Sequence, residues 1–221
     1  MSAGGVLIAV GLVVLGYLFG SVSPSVFLGR LVKGLDVRKH GSGNAGTTNA
    51  FRVLGVRLGI AVLLADLLKG AIPVLIARLV LSGEDHGPLV TVFVALACIA
   101  GHNYSIFLRG RGGKGVATGA GAAIAMMPIP MAFVVGLFIV LLLTTRIVSV
   151  ASIACTIIFP VTAVILHQPI PYIVVCCLMS LVVLWAHRGN FKRIWQRKEP
   201  RVYFPWNKRP PKPERPETGS S

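Results

Sequence analysis

Seven long apolar runs, joined by short polar connections, constrain the fold of this chain more than any other feature of its sequence. Hydrophobic residues make up 54% of the chain and charged residues only 13%, so one soluble core could not bury so many runs of this length. Helices satisfy their own backbone hydrogen bonds, as the interior of a bilayer requires. We therefore expect an all-α membrane protein with seven transmembrane helices, at residues 6–28, 58–81, 89–107, 116–127, 131–145, 147–166 and 172–186.

Basic residues predict the orientation of these helices. Six Lys and Arg residues but one acid lie between residues 29 and 57, whereas the connection 82–88 holds Glu84 and Asp85 and no Lys or Arg. Because basic connections stay on the cytoplasmic side, we expect the N-terminus outside and the C-terminus in the cytoplasm. The run at 116–127 is shorter than the roughly 20 residues that cross a bilayer, so we expect it to be tilted, partly sunk or locally matched by a thinner bilayer.

The net charge of +15 raises the question of a nucleic-acid partner. Ten of the 22 Lys and Arg residues follow His187, and most of the others edge apolar runs. That distribution is typical of membrane topology and of attraction to a lipid surface. We therefore expect membrane lipid and no nucleic acid as a partner, and the oligomeric state stays open.

Composition divides the chain into two parts. Residues 1–198 form the expected seven-helix domain, and residues 199–221 form a basic, Pro-rich tail that we expect to be disordered. The four cysteines lie in apolar runs without metal-ligand spacing, so we expect neither a disulfide framework nor a metal site. Asp66 and Lys69 share one face of the second run, and they form either an ion pair that fixes packing or part of a polar cavity.

A dense polar run at residues 41–49, followed by Arg52, interrupts the apolar pattern. It holds three glycines and side chains that form hydrogen bonds, and glycine lets several backbone N–H groups turn toward one point. Such N–H groups, hydroxyls and a guanidinium are what a phosphate or a developing oxyanion requires. The alternative is a flexible, solvated loop, but a second run of glycines and basic residues recurs at 108–115.

The expected topology brings four polar clusters to the cytoplasmic face, at residues 41–52, 102–115, 146–152 and 187–190. In the third cluster Arg146, Ser149 and Ser152 are spaced by three and so share one helix face. Each cluster alone has a structural explanation, such as a topology anchor or a side chain that reaches the interface. Together they favour an anion-binding pocket at the inner leaflet.

Several reaction classes lack their signatures. Residues 41–46 and 110–115 both match G-x-G-x-x-G, but no strand precedes either run, as dinucleotide binding requires. A Walker A motif and a G-x-S-x-G elbow are absent, and no histidine is followed by Asp at the fifth position, as in thioester-using glycerolipid acyltransferases. The remaining groups offer phosphate ligands and one base without an obvious covalent nucleophile, which suits a substrate that arrives already activated.

The polar motifs resemble the PlsY family of bacterial membrane acyl-phosphate:glycerol-3-phosphate acyltransferases. The resemblance runs from residue 20 to residue 195, and it departs at Arg109 and Arg111, where a run with Phe and Lys is expected. The matching segments are residues 41–49 with Arg52, 65–70, Gly101 and His102 with 112–118, 146–152, and 187–190.

The resemblance implies transfer of a fatty acyl group from acyl phosphate to the 1-hydroxyl of sn-glycerol 3-phosphate. The products would be lysophosphatidate and phosphate, and the reaction would be the first step of phospholipid synthesis, with no cofactor and no acyl-enzyme. The resemblance also implies a multi-pass protein of the bacterial cytoplasmic (inner) membrane with its active site facing the cytoplasm. An organic-phosphate transporter or a structural membrane protein is the alternative, although neither an inverted repeat nor midplane sites are visible.

The resemblance also implies roles for individual residues. Ser42 and its neighbours through Thr48 would hold the acyl phosphate, and His187 would orient the attacking hydroxyl; whether His187 or a substrate phosphate is the base stays open. Asp66 and Lys69 would support the scaffold. The expected catalytic residues are Ser42, Lys114 and His187, and the expected substrate-binding residues are Gly43, Asn44, Gly46, Thr47, Thr48, Asn49, Arg52, Gly113, Ser149, Ser152 and Asn190.

Overall fold

The structure is a computed structural model that describes residues 1–202 of the chain, and within that range it contains α-helices and no strand. Short 3₁₀ turns at Val37–Lys39 and Ile106–Leu108 lie in the connections. The helices are α1 (Ala3–Ser21), α2 (Pro24–Lys33), α3 (Thr47–Leu54), α4 (Val56–Val80), α5 (Gly87–Asn103), α6 (Val116–Met126), α7 (Pro128–Thr145), α8 (Val148–Ile165), α9 (Ile170–Ala186) and α10 (Arg188–Trp195).

The described residues contain five helical segments that are long and apolar enough to cross a membrane, or six if the bent pair α9–α10 counts as one span. The five are Ala3–Lys33, Val56–Val80, Gly87–Leu108, Pro128–Thr145 and Val148–Ile165. An all-α membrane fold is therefore confirmed, whereas the number of seven spans and their orientation stay predictions. The structure gives fewer clear spans than the seven expected because of two helices. Helix α6 has 11 residues and reaches only about 17 Å, and α9 forms a bent pair with α10, at an angle of 58°.

Helix α5 lies at the centre and packs against α1, α4, α6 and α9. Glycines set these close contacts. A side chain at Gly20 of α1 would collide with the backbone of Cys98 in α5, and one at Gly70 of α4 would collide with the backbone of Thr118 in α6. Helices in lipid associate through such small residues because lipid tails are as apolar as the helix surfaces themselves. The glycines therefore determine which helix faces meet.

The break between α1 and α2 is held by side chains from α4 and from the connection after α5. Pro24 begins α2 and leaves carbonyls at the end of α1 without helical partners. The neighbouring serines do not satisfy them: the Ser105 hydroxyl donates to Ser21 O at 2.6 Å, and Lys69 Nζ donates to Val22 O at 2.6 Å. Beyond the break, α2, α3 and the start of α4 enclose a small separate core.

Candidate active site

Asn49 determines the shape of the first polar run. Its Nδ2 donates to Val37 O at 2.8 Å and to His40 O at 3.1 Å, while its Oδ1 accepts from Ser42 N at 2.9 Å. Asn49 is only 1% exposed. Gly41 has φ +62°, and a side chain there would collide with the Asn49 amide. Because its side-chain hydrogen bonds all go to residues 37–42, Asn49 organises this loop, and its expected role in holding substrate stays a prediction.

Helix α3 begins directly after this loop. Asn44 Oδ1 accepts from Gly46 N at 2.9 Å, and the Thr47 hydroxyl donates to Asp66 Oδ2 at 2.7 Å. Among residues 1–202, the N–H groups of Thr47 and Thr48 donate to no acceptor. Unpaired N–H groups at a helix start carry partial positive charge and attract anions. The run therefore offers backbone donors together with the exposed Ser42 hydroxyl.

The second polar run folds back onto the end of α5. Gly112 N donates to Asn103 O at 3.1 Å, and Gly113 N donates to His102 O at 3.0 Å. A side chain at Gly113 would overlap the His102 ring, so only glycine permits this contact. Lys114 follows directly, and its Nζ donates to Asn190 Oδ1, at the start of α10. The loop thus carries a lysine from the α5 side to the α9–α10 side.

The charge of Lys114 is sensitive to its surroundings. Burial lowers the pKa of Lys114 from 10.5 to about 8; Glu199 opposes this change, while Arg193 and Arg52 add to it. Burial likewise lowers the pKa of Arg52, and Glu199 again opposes it. Three cations therefore act on one small region, which is an arrangement suited to an anion.

Glu199 provides the counter-charge, and the sequence analysis missed it. Its Oε1 accepts from Ser149 Oγ at 2.8 Å and from Asn190 Nδ2 at 2.6 Å, and its Oε2 accepts from Arg193 Nε at 2.7 Å. Burial opposes ionisation, but these hydrogen bonds hold the pKa of Glu199 below its usual value. One signal was available: Glu199 is the first acid after Asp85.

Glu199 is the first residue of the segment 199–221 that we expect to be a disordered tail, yet it forms side-chain hydrogen bonds to Ser149, Asn190 and Arg193. Val202 N also donates to Arg146 O at 2.7 Å, so residues 199–202 contact the helical body. Residues 203–221, the remainder of the expected disordered tail, lie outside the described residues.

His187 lies between α9 and α10 with a fixed ring orientation. It is only 3% exposed, and its Nδ1 lies 2.8 Å from Val183 O. Because a carbonyl oxygen can only accept, Nδ1 carries a proton, and in the neutral ring Nε2 is then the nitrogen with the free lone pair. His187 can thus accept a proton or a hydrogen bond through Nε2.

A cavity of about 260 Å³ adjoins these residues. One side is polar and includes Asn44, Gly113 and Lys114, while Val182 and Trp185 of α9 form an apolar side. The Arg188 guanidinium stacks over the Trp185 ring, 5.0 Å from its centroid. A charged head group with an aliphatic chain matches both sides of this cavity.

The structure brings together residues from all four predicted clusters. Asn44 and Lys114 line one cavity, Asn190 joins Lys114 to Glu199, and Glu199 binds Ser149. Within the described residues, no hydrogen bond links the side chains of the other expected ligands to this group: Ser42, Thr47, Thr48, Asn49, Arg52, Ser152 and His187. The same part of the chain holds no group of three or more His, Cys, Asp or Glu that could bind a metal ion.

Known proteins share both the sequence and the fold. Residues 10–197 match the family described as glycerol-3-phosphate acyltransferase. A glycerol-3-phosphate acyltransferase of Rubrobacter xylanophilus is 42% identical over 188 residues, which cover 85% of this chain and 92% of that protein. One of Shouchella clausii is 41% identical over 187 residues, which cover 82% of this chain and 90% of that protein.

Two solved structures are similar over most of their length. Both are crystal structures of PlsY, described as an integral membrane glycerol 3-phosphate acyltransferase. The glycerol 3-phosphate form has a TM-score of 0.82 and 35% identity, and the match covers 88% of this chain and 96% of that chain. The lysophosphatidic acid form has a TM-score of 0.80 and 34% identity, and the match covers 88% of this chain and 95% of that chain.

Proposed function

Because this chain belongs to the glycerol-3-phosphate acyltransferase family, we propose that it transfers a fatty acyl group from acyl phosphate to the 1-hydroxyl of sn-glycerol 3-phosphate. The products are lysophosphatidate and inorganic phosphate, and the reaction is the first step of phospholipid synthesis. The observation that carries this proposal is the contact between Lys114 and Asn190, which joins the second polar run to the α9–α10 turn beside Ser149, Glu199 and the 260 Å³ cavity.

The glycerol 3-phosphate site lies around Lys114. Its ammonium and the Arg52 guanidinium supply positive charge, and the Asn190 amide and the Ser152 hydroxyl supply hydrogen bonds. Glu199 already accepts from Asn190 and Arg193, so it limits the net positive charge of the site and keeps these donors in place. Solved PlsY in its glycerol 3-phosphate form, with a TM-score of 0.82 to this chain, supports this choice of acceptor.

The acyl phosphate site lies at the first polar run. The Ser42 hydroxyl and the unpaired N–H groups of Thr47 and Thr48 bind its phosphate, as the start of a helix favours. The acyl chain extends along the apolar side of the cavity, past Val182 and Trp185, toward lipid. This placement puts a charged group among polar residues and the chain in an apolar environment.

The transfer needs no acyl-enzyme. The 1-hydroxyl oxygen attacks the acyl carbonyl carbon, the new C–O ester bond forms, and the bond to phosphate breaks with its electron pair leaving on phosphate. Acyl phosphate is a mixed anhydride with a good leaving group, so positioning and electrostatic stabilisation supply most of the rate. The hydroxyl proton passes either to His187 Nε2 or to a phosphate oxygen of a substrate, and His187 in both cases orients the hydroxyl.

In this proposal the site lies on the cytoplasmic side of the bacterial inner membrane. The basic residues of the segment 29–57 and of the run 108–115 support this orientation through the positive-inside rule. In this arrangement α6 and α9 complete a set of seven membrane-embedded helices, with the N-terminus outside.

The test is a two-substrate assay with purified, detergent-solubilised protein. Palmitoyl phosphate and glycerol 3-phosphate are supplied together, and phosphate release and lysophosphatidate are measured. Palmitoyl-CoA replaces palmitoyl phosphate in a matched reaction. We expect equal amounts of both products with palmitoyl phosphate and no lysophosphatidate with palmitoyl-CoA. Lysophosphatidate formed from palmitoyl-CoA and glycerol 3-phosphate, without palmitoyl phosphate, would refute the proposed donor.

A further inference from the structure

Asp66 is a buried carboxylate in α4 that the proposed reaction does not use directly. It is 1% exposed, and its Oδ2 accepts the Thr47 hydroxyl at 2.7 Å. Thr47 begins α3 and belongs to the first polar run. The contact therefore reaches from the membrane-embedded helix α4 to the first residue of the predicted phosphate-binding turn.

The hydroxyl of Thr47 has a single hydrogen, and this hydrogen is donated to Asp66. The Thr47 side chain therefore cannot also donate to a substrate phosphate. What remains available at this residue is the backbone N–H, which donates to no acceptor among residues 1–202. The side chain thus anchors the turn, and the backbone N–H is left free to donate.

Asp66 is itself held in place by residues from several helices. Lys69 Nζ lies 2.8 Å from Asp66 Oδ1 and also donates to Val22 O at the break between α1 and α2. His102 Nδ1 lies 3.7 Å from Asp66 Oδ1 and 2.9 Å from the Thr118 hydroxyl. Oδ1 accepts no hydrogen bond among the described residues, so the ion pair with Lys69 at Oδ1 and the Thr47 hydrogen bond at Oδ2 together give the carboxylate one defined position.

We propose that Asp66 is a positioning residue for acyl transfer, which fixes the first turn of α3 so that the N–H groups of Thr47 and Thr48 face the acyl phosphate. This inference rests on the proposed function. It differs from a purely structural role because it concerns the affinity for one of the two substrates. Loss of the contact should affect the acyl phosphate, whereas the glycerol 3-phosphate site around Lys114 does not touch Thr47.

The experiment is a double-mutant cycle of Thr47→Val and Asp66→Asn, with Thr47→Ser as the conservative variant. Thr91→Val is the control for loss of a threonine hydroxyl, because Thr91 is only 1% exposed and its hydroxyl donates only to Gly87 O of its own helix, at 2.8 Å. Each protein is assayed at matched amounts of folded, monodisperse material. The KM for palmitoyl phosphate, the KM for glycerol 3-phosphate and kcat are measured separately.

We expect Thr47→Val and Asp66→Asn each to raise the KM for palmitoyl phosphate by about tenfold, the scale of one hydrogen bond to a charged group. The KM for glycerol 3-phosphate should change less than about threefold. The double variant should have a KM for palmitoyl phosphate no higher than that of the more affected single variant, because both substitutions remove the same contact between Thr47 and Asp66. Thr47→Ser keeps the hydroxyl donor and should restore most of the affinity for palmitoyl phosphate that Thr47→Val loses, whereas Thr91→Val should retain the KM of the unchanged protein.

Three results would overturn the inference. The first is a KM for palmitoyl phosphate that Thr47→Val leaves unchanged, and the second is a pair of effects that multiply in the double variant. The third is equal increases in both KM values, which would indicate general damage. If Asp66→Asn does not fold, Thr47→Val and Thr47→Ser decide alone. If the unchanged protein gives no product from palmitoyl phosphate, the proposed function fails first and this inference fails with it.

Discussion

Replacement of Lys114 by alanine tests whether the polar clusters form one phosphate site. The Lys114 ammonium donates to Asn190 Oδ1, and burial keeps the pKa of Lys114 at about 8, so the side chain lies where water screens it weakly. A charge-assisted hydrogen bond in such a place contributes roughly 1.5–3 kcal/mol. If Lys114 binds the glycerol 3-phosphate phosphate, its loss should lower kcat/KM by about tenfold to a hundredfold.

Two further variants sharpen the test. Lys114→Arg keeps the charge but presents a planar fork, so it should restore only part of the activity. Lys198→Ala is the matched control: Lys198 is an exposed lysine that follows α10, and within the described residues its side chain forms no hydrogen bond or ion pair. Its removal should leave kcat/KM within about twofold of the unchanged value, since isolated exposed charges contribute little.

Initial rates of phosphate release should be measured at matched amounts of folded protein, with glycerol 3-phosphate varied at saturating palmitoyl phosphate. A thermal melt in the same detergent separates loss of function from loss of fold. If Lys114→Ala and Lys198→Ala are equally active, then Lys114 does not bind substrate, and the converging clusters serve only membrane topology.

Three further results are expected. Lys114 must be charged to bind phosphate, and burial lowers its pKa to about 8, so the KM for glycerol 3-phosphate should rise as the pH rises above about 8. In Lys114→Arg, which keeps its charge, this KM should not change with pH. Kinetics at pH 7 and pH 9 check both expectations. Glu199→Ala should lower both the melting temperature and kcat, because Ser149, Asn190 and Arg193 lose their shared acceptor, whereas Glu84→Ala, which removes an exposed carboxylate, should change neither. Activity should survive EDTA, since the site offers cations and amides rather than grouped carboxylates, and loss of activity that Mg²⁺ restores would contradict this interpretation of the phosphate site.

Much of the fold and of the site follows from the sequence because the relevant signals are local. Apolar runs and the paucity of charge predict membrane helices, and the structure confirms the all-α membrane fold. The glycine-rich and basic motifs predict membership of the acyltransferase family, which the match over residues 10–197 confirms. These signals depend on residue type and short spacing, and neither requires knowledge of which helices touch.

The tertiary structure decided what depends on contacts between distant residues. The sequence did not indicate that Glu199 turns back to Ser149, 50 residues earlier, or that Thr47 donates its hydroxyl to Asp66. Nor did it indicate that the Asn49 amide forms its hydrogen bonds with the neighbouring residues 37–42. Composition identifies a polar side chain as a donor or acceptor, but only the packing of α3, α4, α8 and α10 determines which partner satisfies it and which groups stay free for a ligand.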